Sequence, residues 1–265
     1  MNRISAPILV LSLAASSLPA AAAKISRSDL KAVLDNNPEL VFDVIQDHPK
    51  EFMAVFQKAY QTEMMRQREK QSQEDQKKTA EAIKHPLQPE IHSWSMTEGN
   101  PKAKYTLVEY SDFQCPYCSR AEETVDALRA KYGNDMRLVY KNNPLPMHPN
   151  AMPAAEWFYA AALQSRPKAW KLHDAFFKHQ SELGEDFYKK TAKTLGLDVA
   201  KLEKDAQSSK VKDRIEQDMA EAKKFGLMGT PGFLINGVPV AGAYPLDYFV
   251  NLIGKIDAAR AGNKS

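Results

Sequence analysis

Cysteine is the residue that this sequence most obviously lacks. Its 265 residues include only two, Cys115 and Cys118, within the stretch D-F-Q-C-P-Y-C-S at 112–119. A structural disulfide would join distant segments, because closing so short a loop contributes only about 2 kcal/mol. A structural zinc site needs four ligands, usually two such pairs or one pair with two suitably spaced histidines, and the chain has no second cysteine pair. A structural disulfide and a metal site are therefore the weaker explanations for this pair.

The chain also lacks an excess of charge of either sign. It has 36 Lys and Arg against 33 Asp and Glu, and the two signs are interleaved. A nucleic-acid or membrane-surface partner would require a basic patch or stripe. We therefore expect no nucleic-acid partner. The 43% of hydrophobic residues is ordinary for a globular protein of one or two domains.

Long apolar runs are missing as well, so we predict no membrane insertion. The run I-L-V-L-S-L-A-A at 8–15 is too short to span a bilayer. Arg3 precedes it and small residues follow at 18–23, a pattern typical of a secretory signal peptide over 1–23, cleaved after Ala23. An uncleaved N-terminal anchor is the alternative. The mature protein is predicted to be exported to the periplasm, where disulfides persist.

Residues 24–65 carry a helical, amphipathic pattern. Ser28 is placed to cap a first helix, and Asn37-Pro38 to begin a second. The apolar residues of this segment are too few to close a core alone. The next segment, 66–91, is predicted to be a helical spacer, and it begins with a long run that has no apolar side chain. This arrangement predicts homo-oligomerisation through 24–65, with folding back onto the chain's own domain as the alternative.

The remainder, 92–265, has the pattern of an α/β domain. An apolar strand at 105–110, a long helix and a second strand at 136–141 form a right-handed βαβ unit. Helical patterns fill a predicted insert at about 149–226. F-L-I-N-G-V-P-V at 233–240 predicts a hairpin around its Asn-Gly pair, and a helix closes the domain.

A redox pair is the best explanation for the two cysteines. A C-x-x-C that ends a strand and begins a helix places Cys115 at the helix N-terminus, where backbone N–H groups stabilise a thiolate. Cys118, one turn further on, is positioned to resolve a mixed disulfide. Pro116 suits the first helical turn, and Tyr117 can influence the exchange equilibrium. We predict that Cys115 is accessible and acidic and that Cys118 is buried.

A second motif, M-G-T-P-G-F-L-I-N-G at 228–237, puts Pro231 directly before a strand. A cis bond between Thr230 and Pro231 would explain that position. It would leave the Thr230 backbone free to pair with an extended polypeptide lying across Cys115. The alternative is an ordinary turn proline between two glycines.

Together these motifs resemble the DsbA-like branch of the thioredoxin superfamily over roughly residues 92–260. The resemblance implies a thioredoxin-like α/β fold with a helical insertion, preceded by an N-terminal helical segment, and it calls for no cofactor. It also implies roles: Cys115 attacks, Cys118 resolves, and Pro231 is the cis-proline. Glu109 matches a buried acid beneath the active site that takes the proton of Cys118; an exposed strand acid is the alternative.

The sequence departs from the best-known monomeric oxidases of that branch. The dipeptide between the cysteines is Pro116-Tyr117 rather than Pro-His, and Thr230 before the proline resembles isomerase-type members. N-P-E-L-V at 37–41 resembles oligomeric relatives, including the copper-sensitivity suppressor type. The resemblance implies unfolded or wrongly disulfide-bonded exported proteins as clients and a membrane redox partner. It leaves oxidase, reductase and isomerase roles open.

Two further interpretations stay open. A chaperone-like client-binding module, or a thiolate copper-binding protein, could carry the same thiols in a secondary role. Two residues outside the motifs have ordinary interpretations: His148 as a structural loop residue unless its loop borders the thiols, and Lys141 as a solvated strand-end lysine rather than a partner of Glu109.

Overall fold

The computed structural model describes residues 25–262. The predicted signal peptide, 1–23, lies outside the described residues. The chain divides into two compact units, one ending at Lys70 and the other beginning at Gln71. Across residues 25–262, every helix is too short or too polar to cross a bilayer.

Helices form the first unit. They are α1 (Arg27–Asn36), α2 (Glu39–Asp47) and α3 (Pro49–Lys84), the last continuing into the second unit. Ser26, rather than the predicted Ser28, caps α1. Its hydroxyl accepts the N–H of Asp29, and the Asp29 carboxylate accepts the N–H of Ser26, a reciprocal capping box. The described residues of α1, α2 and α3 include none that is buried, although many are apolar.

The end of α3 and the segment after it belong to the second unit. Ala82 and Ile83 pack against the core beneath the sheet, and the N–H of Leu87 donates to the carbonyl of Gly237 at 2.9 Å. A side chain at Gly237 would collide with the Leu87 carbonyl, its Cβ lying only 2.2 Å away. The C-terminal part of the predicted spacer is therefore packed against the α/β domain.

A five-stranded mixed sheet lies at the centre of the second unit, in the order β1-β3-β2-β4-β5. The strands are β1 (Met96–Gly99), β2 (Tyr105–Ser111), β3 (Met136–Asn142), β4 (Gly232–Ile235) and β5 (Val238–Ala241). β2 and β3 are parallel and the other neighbours are antiparallel, which confirms the βαβ unit and the hairpin. The sequence prediction missed β1, because this short edge strand buries only Met96 fully and shows no clear alternation.

Helix α4 (Pro116–Tyr132) connects β2 to β3, and the helical insert separates β3 from β4. The insert comprises α5 (Ala151–Gln164), α6 (Arg166–Lys178), α7 (Glu185–Thr194), α8 (Val199–Ala206) and α9 (Ser209–Lys224). α10 (Leu246–Gly262) closes the domain. This order is the predicted thioredoxin-like α/β fold with a helical insertion.

Aromatic rings join the insert to the cysteine-bearing turn. Phe113 lies two residues before Cys115, and its ring centroid is 5.3 Å from that of Tyr140 in β3. The Phe158 and Phe177 rings of the insert lie 5.4 and 5.0 Å from Phe113. Such rings bury large apolar areas and prefer offset or edge contacts. The insert therefore fixes the turn that carries the thiols.

Lys141 is buried, which corrects the prediction of a solvated lysine. Its neighbour Tyr140 pairs with Glu109 in the β2–β3 register, so Lys141 points to the opposite face of the sheet. There its ammonium group contacts the Glu221 carboxylate and donates to the Glu90 carbonyl at 2.8 Å. Glu221 also accepts the Glu90 N–H at 2.6 Å. This buried ion pair thus holds the segment that precedes β1 against the domain.

Candidate active site

Cys115 occupies the N-cap of α4, as the strand–C-x-x-C–helix pattern predicted. Its backbone is extended (φ −72°, ψ 121°), and Pro116 begins the helix. The Cys115 carbonyl accepts the N–H groups of Cys118 at 3.1 Å and Ser119 at 3.2 Å. The positive end of the helix dipole therefore lies at the Cys115 side chain.

Both cysteines are reduced and nearly buried in the structure. Cys118 is 0% exposed, but Cys115 is only 3% exposed, so the prediction of an accessible Cys115 is wrong. The loop before β4 covers it: the Cys115 sulfur lies 3.5 Å from the carbonyl oxygen of Thr230. Sequence spacing alone could not place this distant loop over the first cysteine.

The two thiols differ strongly in acidity. A hydrogen bond from the Cys118 thiol lowers the pKa of Cys115 to about 5, with further help from Thr230 and the N–H groups of Cys118 and Tyr117 against the opposing effect of burial. Burial raises the pKa of Cys118 far above its ordinary value. At neutral pH, Cys115 is therefore the thiolate and Cys118 the thiol, which is the predicted order.

The peptide bond between Thr230 and Pro231 is cis, as the motif predicted. Pro231 is buried, and its carbonyl accepts the N–H of Gly242 at 2.9 Å, which ties the loop to the end of β5. Tyr117, by contrast, is 56% exposed, and the Arg120 guanidinium lies 4.5 Å from the centre of its ring. The structure thus brings Cys115, Thr230 and Pro231 together and leaves Tyr117 on the surface beside them.

Glu109 is fully buried in β2, not exposed. Burial raises its pKa to about 7, so this carboxyl can gain and lose a proton near neutral pH. The Ser111 hydroxyl is close enough to influence the pKa of both Glu109 and Cys118. Glu109 therefore lies on the side of the sheet that faces α4, where it interacts with Glu122.

Sequence reasoning missed a second carboxyl, Glu122. It lies one helical turn after Cys118 in α4, and burial, followed by the charge of Glu109, raises its pKa well above the ordinary range. Glu122 also lines a cavity of about 730 Å³ that reaches Asp126 and Lys178. Its i+4 spacing from a buried cysteine was the available clue. Two buried acids with raised pKa values therefore lie beside each other where β2 meets α4.

Replacing Glu109 by Gln should stabilise the reduced protein at alkaline pH. A carboxyl whose pKa is raised from 4.5 to about 7 on folding destabilises the fold as pH increases through that interval. We expect Glu109→Gln to be more stable than the wild type at pH 8 by up to about 3 kcal/mol, and nearly equal at pH 4. Urea unfolding at both pH values measures this.

The exposed neighbour of Glu122 offers a matched control for that experiment. Glu123→Gln, on the outer face of α4, should show no such gain between pH 4 and pH 8. Burial also raises the pKa of Asp218 to about 7, so the wild type loses stability from both groups and only the difference between proteins isolates Glu109. Equal stability of Glu109→Gln and wild type at pH 8 would contradict the assignment.

Side chains remote in sequence hold the turn before Cys115. The Gln180 amide donates to the carbonyls of Phe113 at 2.7 Å and Cys115 at 2.9 Å. The Asn150 N–H donates to the Gln114 side chain at 2.6 Å. No sequence motif marks these contacts, because they join the insert to the turn only in the folded domain.

Metal ligands are not clustered in the part of the chain that the structure describes. Between residues 25 and 262 no three His, Cys, Asp or Glu side chains come together as a metal site. The thiols stand instead with a carbonyl, a thiol and helix N–H groups, a set that suits thiolate chemistry.

The fold and this thiol pair define a thiol–disulfide oxidoreductase-like architecture. A family model described as Thioredoxin matches residues 92–255, and the chain belongs to that family. A thioredoxin-like oxidoreductase from Silicibacter pomeroyi DSS-3 is 30% identical, with a TM-score of 0.58 over 64% of this chain and 94% of that one. Wolbachia pipientis α-DsbA1 is 20% identical, with a TM-score of 0.57 over 69% of this chain and 100% of that one. The predicted resemblance to DsbA-like proteins is confirmed at the level of the fold.

The same domain also resembles part of a larger protein. A Na(+)/H(+) antiporter NhaA 1 from Mycolicibacterium gilvum (strain PYR-GCK) is 36% identical over 165 residues, 61% of this chain but 26% of the relative. The chain thus spans about a quarter of the length of the curated relatives that it matches.

Proposed function

We propose that this protein is an exported enzyme that exchanges disulfides with folding proteins through Cys115 and Cys118. The observation that carries the proposal is the pairing of a helix-capping thiolate with a buried thiol that donates a hydrogen bond to it. A thiolate is the nucleophile of disulfide exchange, and the pair supplies both an attacking and a resolving sulfur.

The exchange runs in two balanced steps. The Cys115 thiolate attacks a client disulfide, forming one S–S bond to the client and releasing the other client sulfur as a thiolate. Cys118 then gives its proton towards Glu109 and attacks the Cys115 sulfur, so the second client thiolate leaves. The client has gained two electrons and the pair is oxidised; the reverse sequence oxidises a client. Isomerisation releases the client after internal rearrangement, with no net electron transfer.

Exposed apolar side chains beside the thiols suit an unfolded client. Tyr117 lies two residues after Cys115, Met228 precedes the Thr230 loop at 70% exposure, and Met147 is 75% exposed next to His148. Flexible thioethers adapt to many apolar surfaces. Clients are therefore proposed to be unfolded or wrongly disulfide-bonded polypeptides, the class that the family resemblance implies.

A second copy of the chain is proposed to cover the apolar face of residues 25–65. Phe52, Phe56 and Tyr60 form a row along α3 with ring centroids 6.1 and 6.3 Å apart, and Phe42 and Val55 are 61% and 69% exposed. Apolar surface of this extent marks an interaction site. Several thiol pairs around one cleft would favour isomerisation, because a held client can be attacked repeatedly.

Export is supported by the signal pattern of residues 1–23, and a periplasmic site by the chemistry, which needs a compartment where disulfides persist. A membrane redox partner would reoxidise or reduce the Cys115–Cys118 pair. The reduction potential of the Cys115–Cys118 pair indicates which kind of partner it needs, because an oxidase must be reoxidised and an isomerase must be kept reduced.

Two measurements on the mature protein test this function. Equilibration with glutathione gives the reduction potential of the Cys115–Cys118 pair, and reactivation of scrambled ribonuclease reports isomerisation. We expect a reversible two-electron couple and catalysed reactivation. A pair that stays inert towards glutathione and towards disulfide substrates would refute the proposal.

A further inference from the structure

A carboxylate is buried inside the turn that carries the thiols. Asp112 is 1% exposed, and its two oxygens accept the N–H of Gln114 at 2.7 Å and of Leu145 at 2.9 Å. The imidazole Nδ1 of His148 lies 2.7 Å from the second oxygen. His148 itself retains 20% of its side-chain exposure. A partly exposed histidine therefore partners a fully buried acid across two loops.

The backbone of Asp112 reaches both sulfur-bearing residues. Its carbonyl accepts the N–H of Cys115 at 3.0 Å, and its own N–H lies 3.5 Å from the Cys118 sulfur. Any movement of Asp112 therefore changes the surroundings of both thiols. His148 thus borders the active site after all, through this acid.

We propose that Asp112 and His148 form a charged positioning pair that holds the 112–115 turn and offsets the carboxylate's negative charge beside the Cys115 thiolate. The pair touches no reacting atom through its side chains, so both are positioning residues. Its importance for catalysis rests on the function proposed above, whereas its effect on thiol acidity does not.

The sign of the effect follows from Coulomb's law in a poorly solvated site. A carboxylate three residues from the thiolate raises the free energy of the thiolate, and a positive charge on the imidazole 2.7 Å from that carboxylate would cancel much of this repulsion. The other titratable groups around Asp112 are the Cys118 thiol and, from β3, the Tyr140 hydroxyl, whose raised pKa keeps it neutral. Neither supplies the missing positive charge.

Alkylation of the reduced full-length mature protein across a pH series tests the pair without any client. His148→Ala should raise the midpoint of Cys115 labelling by about one pH unit, because the buried carboxylate loses its counter-charge. Asp112→Asn should lower the midpoint or leave it unchanged. A purely structural role would raise the midpoint in both variants, and that result would overturn the proposal.

A conservative variant keeps the test decisive if Asp112→Asn does not fold. His148→Gln can still donate a hydrogen bond to Asp112 but carries no charge, so its midpoint should remain raised; full restoration to the wild-type value would overturn the charge role. His92→Ala is the matched control, since His92 pairs with Glu90 and stacks on Trp94 instead. It should leave the midpoint unchanged.

The equilibrium with glutathione supplies the second readout. A less stable thiolate makes the reduced pair less favourable, so His148→Ala should become up to about tenfold less oxidising. An unchanged labelling midpoint in His148→Ala would overturn the proposal whether or not the protein proves to be a catalyst. Absence of catalysis in the wild type would refute the enzyme alone, because the labelling curve would still report the pair.

Discussion

Replacing Cys115 by Ala should abolish thiol–disulfide exchange and lower its rate by more than about a thousandfold. Alanine has no sulfur with which to attack a client disulfide. Cys115 is the sulfur whose pKa is lowered to about 5, whereas Cys118 is fully buried and protonated. The remaining thiol therefore lacks the negative charge that it would need to attack a client. Reduction of insulin disulfides and reactivation of scrambled ribonuclease measure the loss.

Cys118→Ala is the matched variant and should fail differently. It keeps the helix-capping Cys115 and so should attack clients, but it cannot resolve the mixed disulfide, which should accumulate on non-reducing gels. Its Cys115 should also be less acidic, since the Cys118 thiol makes the largest contribution to lowering that pKa. Equal exchange rates in Cys115→Ala and wild type would show that another chemistry operates.

The same pair of variants separates the enzyme from a chaperone-like module. If binding of clients is the main activity, Cys115→Ala should suppress aggregation of an unfolded protein as well as the wild type does. Loss of exchange with retained suppression would therefore assign the thiols a secondary role.

A chain beginning at Gln71 should be monomeric, should still reduce disulfides and should lose isomerisation. The second compact unit starts there and keeps the end of α3, whose Ala82 and Ile83 pack against the core. The truncation removes the apolar segment with its row of exposed rings, among them Phe56 at 52%. Light scattering gives the mass, and insulin reduction and scrambled ribonuclease give the two activities.

A single substitution offers a gentler version of this test. Phe56→Glu places a charge in the apolar row and should shift the full-length protein towards the monomer, whereas Gln73→Glu on the polar part of α3 should not. A monomeric wild-type protein at micromolar concentration would contradict the proposed association. If the truncated monomer isomerises as well as an oligomeric full-length protein, association has no part in isomerisation.

Local patterns predicted the parts of the site that are contiguous in sequence. A strand at 105–110, a C-x-x-C and a helix already place Cys115 at a helix N-terminus, because backbone geometry over a few residues decides that position. The Asn-Gly hairpin was likewise visible in a single motif, whereas the cis-proline before it was predicted only because the same domain contains the C-x-x-C pair. Strand β1 was not, since a short edge strand has too little buried surface to show a pattern.

Features that depend on distant contacts required the folded domain. Three such features each involve residues from separate elements. Thr230 covers Cys115, the Glu90 carbonyl accepts a hydrogen bond from the buried Lys141, and burial together with the charge of Glu109 raises the pKa of Glu122. The sequence alone does not show whether a given charged residue is exposed to solvent or buried in the protein. Burial, and the pKa shifts that follow from it, are properties of the neighbours and not of the residue.

By itself, then, the sequence predicted which two sulfurs form the site, which of them is the more acidic and what kind of fold carries them, since helix capping and short apolar strands depend on only a few neighbouring residues. Only the tertiary structure decided what surrounds those sulfurs. It placed Gln180 on the Cys115 carbonyl, Asp112 between His148 and the thiols, and Glu122 beside a cavity. The reason is physical: hydrogen bonds and buried charges act at distances of a few ångströms, and only folding brings such residues that close.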